Sequence, residues 1–222
     1  MKIFHFLSEK WALQALKNQR LKVSRYEDLN DPFELLAMSL GDKISRSIML
    51  DTKKKINEDL SILCCSKKWA SPLLWGHYAE KHTGIALALE VPNDSVQEII
   101  YAKDRTSLNL HALMSAQDER SKFEMLKLFT TKYDQWSYEE EVRLQFPKSE
   151  LTKHDGIEFV ELDSDIKIVG LILAPLNKTK KEIIKEHIPF GHKIEVTTTR
   201  IAFQSFNVVH QKRVPPYILH GE

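Results

Sequence analysis

The chain has 222 residues, 42% of them hydrophobic and 28% charged, with 32 Lys and Arg against 31 Asp and Glu. These proportions lie near globular averages and exclude a disordered, fibrous or low-complexity chain. A net charge of +1 excludes polyanion binding by overall charge, so a nucleic-acid partner would need a local patch.

No segment approaches the roughly 20 apolar residues that span a bilayer, and the opening Met1-Lys2-Ile3-Phe4-His5-Phe6 has no export signal, so the expectation is cytoplasmic with no membrane partner. A first strand over 2–7 puts Ile3, His5 and Leu7 on one face and Phe4 and Phe6 on the other. A helix follows, capped by Ser8, with Trp11, Leu13, Ala15 and Leu16 as its apolar residues, then a short strand over 20–24. Residues 26–34 read as a turn-rich loop around Asn30-Asp31-Pro32, and 42–60 as a charged helix on the surface. Ser61 to Ser66 is a central strand, and its adjacent Cys64 and Cys65 point to opposite faces, so they are expected as reduced core thiols.

Ser71-Pro72 starts a helix that Gly84 ends, and Ile85 to Val91 is the next strand. A long helix is expected over 105–133 on the strength of Leu108, Leu110, Leu113, Met114 and Phe129. Strands at 139–145, 166–174 and 193–198, a helix at 178–187 and a last segment at 201–210 complete the chain. Strands outnumber long helices and their crossovers are irregular. The fold class is therefore α+β, one domain over 1–222 with a mixed or antiparallel sheet flanked by helices.

Three constellations carry chemistry. In Trp136-Ser137-Tyr138-Glu139-Glu140-Glu141-Val142-Arg143, a period of two aligns Glu139, Glu141 and Arg143, two carboxylates about 7 Å apart with a cation next in line. They form either a solvated strand face with cross-strand ion pairs or a site that stabilises a developing positive charge. His5, mid-strand, is either a satisfied structural histidine or a partner for a ligand hydroxyl. In Trp75 to Gly84, helical spacing aligns Trp75, Tyr78 and His82 on one stripe and His77 and Lys81 on another, either as packing or as a pocket wall. His77 and His82, five apart, are poorly spaced for zinc, and no metal site is expected. There is no phosphate-binding glycine loop, Gly-x-Ser-x-Gly elbow or His-Glu-x-x-His.

Leu29-Asn30-Asp31-Pro32-Phe33-Glu34, Cys65-Ser66, Trp75-x-His77-Tyr78-Ala79 with His82-x-Gly84, and Trp136-x-Tyr138-Glu139-x-Glu141-x-Arg143 together resemble an uncharacterised bacterial domain family, over about residues 3–176. The opening Phe4-His5-Phe6-Leu7, its helix and Arg20 to Ser24 are similar to the start of ADP-ribosyltransferase-like domains, and Glu139-x-Glu141-Val142 is similar to their late Glu-x-Glu strand. That resemblance implies NAD as substrate, with ADP-ribose passed to a nucleic-acid or protein acceptor or to water, in phage defence or as a toxin. It implies that His5 holds the nicotinamide ribose, Ser66 supports the site, Glu141 stabilises the oxocarbenium ion and Glu139 orients the acceptor. Trp75, His77, Tyr78, His82 and Arg143 are the further nucleotide-binding candidates. Arg143 departs from the superfamily's pattern, and the Trp75 to Gly84 segment has no counterpart there. Two alternatives stand beside this: a metal-dependent nuclease in which Asp31 or Glu34 joins Glu139 and Glu141 around Mg²⁺, and a non-enzymatic binding module. The transferase reading requires His5 and Glu141 to face one cleft within about 10 Å, the span of a shared substrate pocket, and fails if they are separated by the sheet.

Overall fold

The computed structural model describes residues 1–106 and 118–222. Its strands are β1 (Lys2–Leu7), β2 (Arg20–Lys22), β3 (Leu60–Ser66), β4 (Ile85–Glu90), β5 (Gln97–Glu98), β6 (Ile100–Ala102) and β7 (Thr131–Tyr133) in the first part of the chain. They continue with β8 (Glu141–Pro147), β9 (Thr152–His154), β10 (Ile157–Glu161), β11 (Lys167–Leu173), β12 (Lys193–Ile201), β13 (Val208–His210) and β14 (Tyr217–His220). The helices are α1 (Glu9–Asn18), α2 (Lys43–Asp59), α3 (Pro72–Tyr78), α4 (Glu119–Thr130) and α5 (Lys181–Lys185). Among the described residues no helix is long and apolar enough to cross a membrane.

The large sheet runs β13-β12-β11-β4-β1-β3-β8-β5, with β14 also on β12. Only β11 and β12 are parallel within it, so the sheet is mixed. The first strand sits near its middle and the last strands build one edge, so both ends of the sequence contribute to one α+β architecture. Among the described residues no barrel closes. Alternation along β1 sends Ile3 and Leu7 into one apolar layer and Phe4 and Phe6 into the other. Helix α1 covers the first layer with Ala12, Leu13, Ala15 and Leu16, and α5 adds Ile184. Helix α3 covers the second layer with Leu74 and Trp75.

The sheet is split where the site lies. Strand β1 pairs with β4 along its whole length, Lys2↔Glu90 to Leu7↔Ile85, but meets β3 only at Phe4↔Ser66. On its other edge β3 pairs with β8 over all seven residues. Farther along the first edge, Ser24 takes over from β1, exchanging two 2.8 Å backbone hydrogen bonds with Ile62. Ser24 follows β2, which belongs to a second sheet, β2-β10-β9. The backbone edge of β3 is therefore open between Ser66 and Ile62, at Cys64.

Three expected elements differ. The helix from Ser71 stops at Tyr78, because Glu80, Lys81 and His82 have φ of 49°, 54° and 70°, a left-handed run that no right-handed helix can contain. Asn177 Nδ2 and the amides of His82 and Gly84 hold this turn in place, with bonds to Thr83 O, Trp75 O and Ala79 O. The strand expected over 139–145 begins only at Glu141, as β8: Asp134–Glu139 is a 3₁₀ helix and Glu140 is left-handed at φ 40°, so the period of two does not reach Glu139. Of the helix expected over 105–133, the described residues are helical over Glu119–Thr130, with Arg105 and Thr106 outside a helix and Thr131–Tyr133 forming β7; Leu108, Leu110, Leu113 and Met114 lie outside the described residues.

Candidate functional site

The opening in the sheet holds a cavity of ≈ 330 Å³. Its walls come from β1 (His5, Phe6, Leu7), the open edge of β3 (Ile62 to Ser66), the loop at Asp28 to Asn30, helix α3 (Leu74, Tyr78) and the polar group Lys132, Glu139, Glu141 and Arg143. Strand register explains which side chains meet here. Phe4 stands opposite Ser66, and Ser66 opposite Glu141, so these three share a face. His5 springs from the opposite face, with Ile3 and Leu7. Because the sheet is split, the cavity joins both faces, and His5 and Glu141 line the same space.

The His5 ring bridges the open edge: Nδ1 lies 2.8 Å from Cys64 O. A carbonyl can only accept, so Nδ1 carries the proton and the neutral ring leaves Nε2 as an acceptor. Burial holds the imidazole pKa below its ordinary value, partly countered by the bond to Cys64, which is consistent with the neutral form.

A chain of buried charges forms the other wall. Glu34, Glu139, Glu141, Lys132 and Arg143 are 3%, 4%, 5%, 7% and 1% exposed, so every charge needs a partner. The Arg143 guanidinium grips Glu34 with NH1 to Oε1 at 2.6 Å and NH2 to Oε2 at 3.0 Å, and donates from Nε to Glu141 Oε1 at 2.7 Å. The Lys132 ammonium bridges Glu139 Oε2 at 2.7 Å and Glu141 Oε2 at 3.1 Å. The Tyr78 hydroxyl donates to Glu139 Oε1 and accepts from Asn30 Nδ2 at 2.7 Å. With all five ionised, three carboxylates and two cations leave one net negative charge on the wall.

The two central glutamates are driven apart. Burial raises the pKa of both. At Glu141 the Arg143 guanidinium, with help from Lys132, overcomes burial and holds the carboxyl below its ordinary value. At Glu139 the single bridging Lys132 and the Tyr78 hydroxyl do not suffice, and the carboxyl stays above its ordinary value. The cluster thus contains two neighbouring carboxyls whose pKa values are shifted in opposite directions.

The structure gathers six of the nine candidate residues at the cavity: His5, Ser66, Tyr78, Glu139, Glu141 and Arg143. The other three are placed elsewhere. Trp75 is fully buried in the core, edge-on to Phe6 at 4.9 Å, with Nε1 donating to Trp69 O. His77 is exposed, its ring 6.0 Å from those of Tyr78 and Tyr138. His82 lies beyond the helix in the left-handed turn, its Nε2 3.5 Å from where a Cβ on Gly76 would stand. The helical stripe shared by Trp75, Tyr78 and His82 therefore does not form.

Glu139 reaches the site from the 3₁₀ turn rather than along a strand, and Lys132 is the group that ties it to Glu141. Lys132 is absent from the sequence candidates because it reads there as one more charge near the end of a helix. Glu34, read as the end of a turn-rich loop and as a candidate Mg²⁺ ligand, is the bidentate partner of Arg143. Around the proposed Mg²⁺ shell, Glu34 and Glu141 are bound to Arg143, Glu139 and Glu141 to Lys132, and Asp31 Oδ1 accepts from the Phe33 amide at 2.9 Å. No group of three or more His, Cys, Asp or Glu suited to a metal ion occurs among the described residues.

No curated protein and no solved structure matches the chain. Residues 74–144 match the model of a family described as a protein of unknown function, DUF2971. The match covers about a third of the chain, narrower than the span expected from the sequence signatures. It includes Tyr78, Lys132, Glu139, Glu141 and Arg143 but neither His5, Ser66 nor Glu34.

Proposed function

We propose that the cavity cleaves the N-glycosidic bond of NAD, passing ADP-ribose to a nucleic-acid or protein acceptor or to water, on an ADP-ribosyltransferase-like fold. The observation that carries this reading is the pair Glu139 and Glu141, two carboxylates of one buried cluster whose pKa values are pushed in opposite directions beside a neutral histidine. Separated pKa values in adjacent carboxylates assign different roles to them. Glu141, held ionised by Arg143, presents fixed negative charge to the cation that develops at the ribose as nicotinamide departs with the bonding electron pair. Glu139, with its raised pKa, accepts the proton of the attacking hydroxyl or water. His5 Nε2 accepts a hydrogen bond from a ribose hydroxyl, and Tyr78 keeps Glu139 oriented.

The residues fit such a ligand in charge and in size. The cavity volume lies at the low end of the roughly 300–1,000 Å³ of small-molecule sites, enough for the nicotinamide riboside end of the dinucleotide. The test is incubation of the protein with NAD labelled in its adenylate phosphate, alone and with cell extract. Nicotinamide release is followed along with transfer of label to protein or nucleic acid. Release without transfer identifies a glycohydrolase. Binding of NAD with neither outcome would replace the enzyme by a binding module.

A further inference from the structure

The cavity's charge changes sign toward its mouth. Its inner wall carries the net negative cluster, whereas its outer lip, where α1 meets β2, is basic and aromatic. Leu7, Trp11 and Lys22 belong both to the cavity and to a shallow groove that continues past it to Arg20 and Phe159. Two ammonium groups flank the half-buried Trp11 indole, Lys22 Nζ at 5.4 Å and Lys10 Nζ at 5.9 Å from the ring centroid. The Arg20 guanidinium lies 4.4 Å above the Phe159 ring, and its Nε is a buried donor without a hydrogen-bond partner. Lys22 is exposed and forms no ion pair among the described residues. The acidic groups facing this lip are Asp28, across the cavity, and Glu161, opposite Arg20 in the β2–β10 register, whose Oε1 accepts from Thr152 Oγ1. Three cations against two carboxylates leave the lip positive.

We propose that this lip is a pyrophosphate subsite, in which Lys22 and Arg20 take phosphate oxygens and the Trp11 indole supports the ribose or ring next to them. The inference rests on the reading of the cavity as an NAD site and specifies its substrate class: a dinucleotide with a cationic end and an anionic middle. A ligand of that kind is aligned by the field before contact, its pyridinium drawn to the Glu139–Glu141 wall and its phosphates to the lip. The groove, at ≈ 20 Å³, is too small to enclose a group and serves as a surface along which the chain of phosphates lies.

The test is calorimetric titration with ADP-ribose, which has the pyrophosphate and lacks nicotinamide, at two salt concentrations. Lys22→Glu, an exposed substitution checked by its melting curve, is expected to weaken ADP-ribose binding about tenfold or more and to flatten the salt dependence. Lys22→Arg, which keeps the cation, is expected to keep the wild-type affinity within about threefold. Unchanged affinity in Lys22→Glu overturns the subsite, as does failure of the wild type to bind ADP-ribose. If ADP-ribose binding follows Lys22 while nicotinamide is never released from NAD, the cleavage reading falls and the subsite stands. If nicotinamide is released and Lys22→Glu leaves the KM for NAD unchanged, the subsite falls alone.

Discussion

Arg143→Met removes the keystone of the buried charge chain without changing the bulk of the side chain greatly. Wild-type Arg143 is 1% exposed and makes four hydrogen bonds, two to Glu34 and two to Glu141. In the variant Glu141 keeps Lys132, but Glu34 is left in the interior with no side-chain cation among the described residues. Breaking a buried pair from one side costs about 3–5 kcal/mol, because the remaining charge is neither solvated nor paired. For a chain of this size each kcal/mol moves the melting temperature by roughly 2–4 °C, so melting followed by circular dichroism should fall by roughly 6–20 °C. The pH dependence supplies a second readout. In the wild type Glu141 titrates below its unfolded value, so its contribution is present at neutral pH and is lost as acid protonates it. In Arg143→Met the guanidinium that holds the Glu141 carboxyl below its ordinary value is gone, so the deficit relative to wild type should shrink as the pH falls. A loss of about 1 kcal/mol or less, the range of an exposed ion pair, would refute the view that this cluster is buried and mutually dependent.

Gly84→Ala places a Cβ 2.1 Å from Leu7 O and 2.9 Å from Ala79 O, backbone atoms that cannot step aside. It should cost about 2–3 kcal/mol in chemical denaturation, while Gly41→Ala, with nothing within 4 Å, should stay within about 0.5 kcal/mol. His5 is held neutral in the fold but takes a proton near 6.5 when unfolded, so stability should decline as pH drops below that value. His5→Asn should remove that part of the decline in a melting-versus-pH series; an unaltered series would show that His5 is free to protonate in place. Tyr78→Phe deletes a hydrogen bond that lowers the Glu139 pKa. The acidic limb of the rate of nicotinamide release should therefore move to higher pH, and an unmoved limb would detach Glu139 from proton transfer.

The parts of the fold that follow from local periodicity are legible in the sequence. Ile3 and Leu7 against Phe4 and Phe6, and Ala12, Leu13, Ala15 and Leu16 along α1, fall where a period of two and a period of 3.6 put them. The candidate site is legible in part: His5, Ser66, Tyr78, Glu139, Glu141 and Arg143 meet at one cavity. The route by which they meet is not. Glu139 arrives through a 3₁₀ turn and a left-handed Glu140, a conformation that a charged, non-glycine residue does not announce. The left-handed run at Glu80 to His82 is likewise hidden, since each residue is a tolerable helix former and the bonds that hold the turn, from Asn177 and from the amides of His82 and Gly84, are not a local pattern. The opening in the sheet depends on Ser24 displacing β1 from the edge of β3, a pairing between segments that no local pattern relates. Lys132 becomes visible as a site residue only when β7 brings it beneath both glutamates.

In the proposed reaction the charge of Glu141 serves bond cleavage as well as the ion-pair chain. This role is tested most directly by the rate of nicotinamide release from NAD by the wild type and Glu141→Gln, with melting curves recorded on the same samples. The glutamine keeps the shape of the side chain and an acceptor for Arg143 while removing the negative charge. Release by the wild type is expected, with a loss of about 10²–10³-fold in a variant that is still folded, the scale of losing one preorganised electrostatic group. Equal rates in the two folded proteins, or no release by the wild type in the presence of protein and nucleic-acid acceptors, would contradict it.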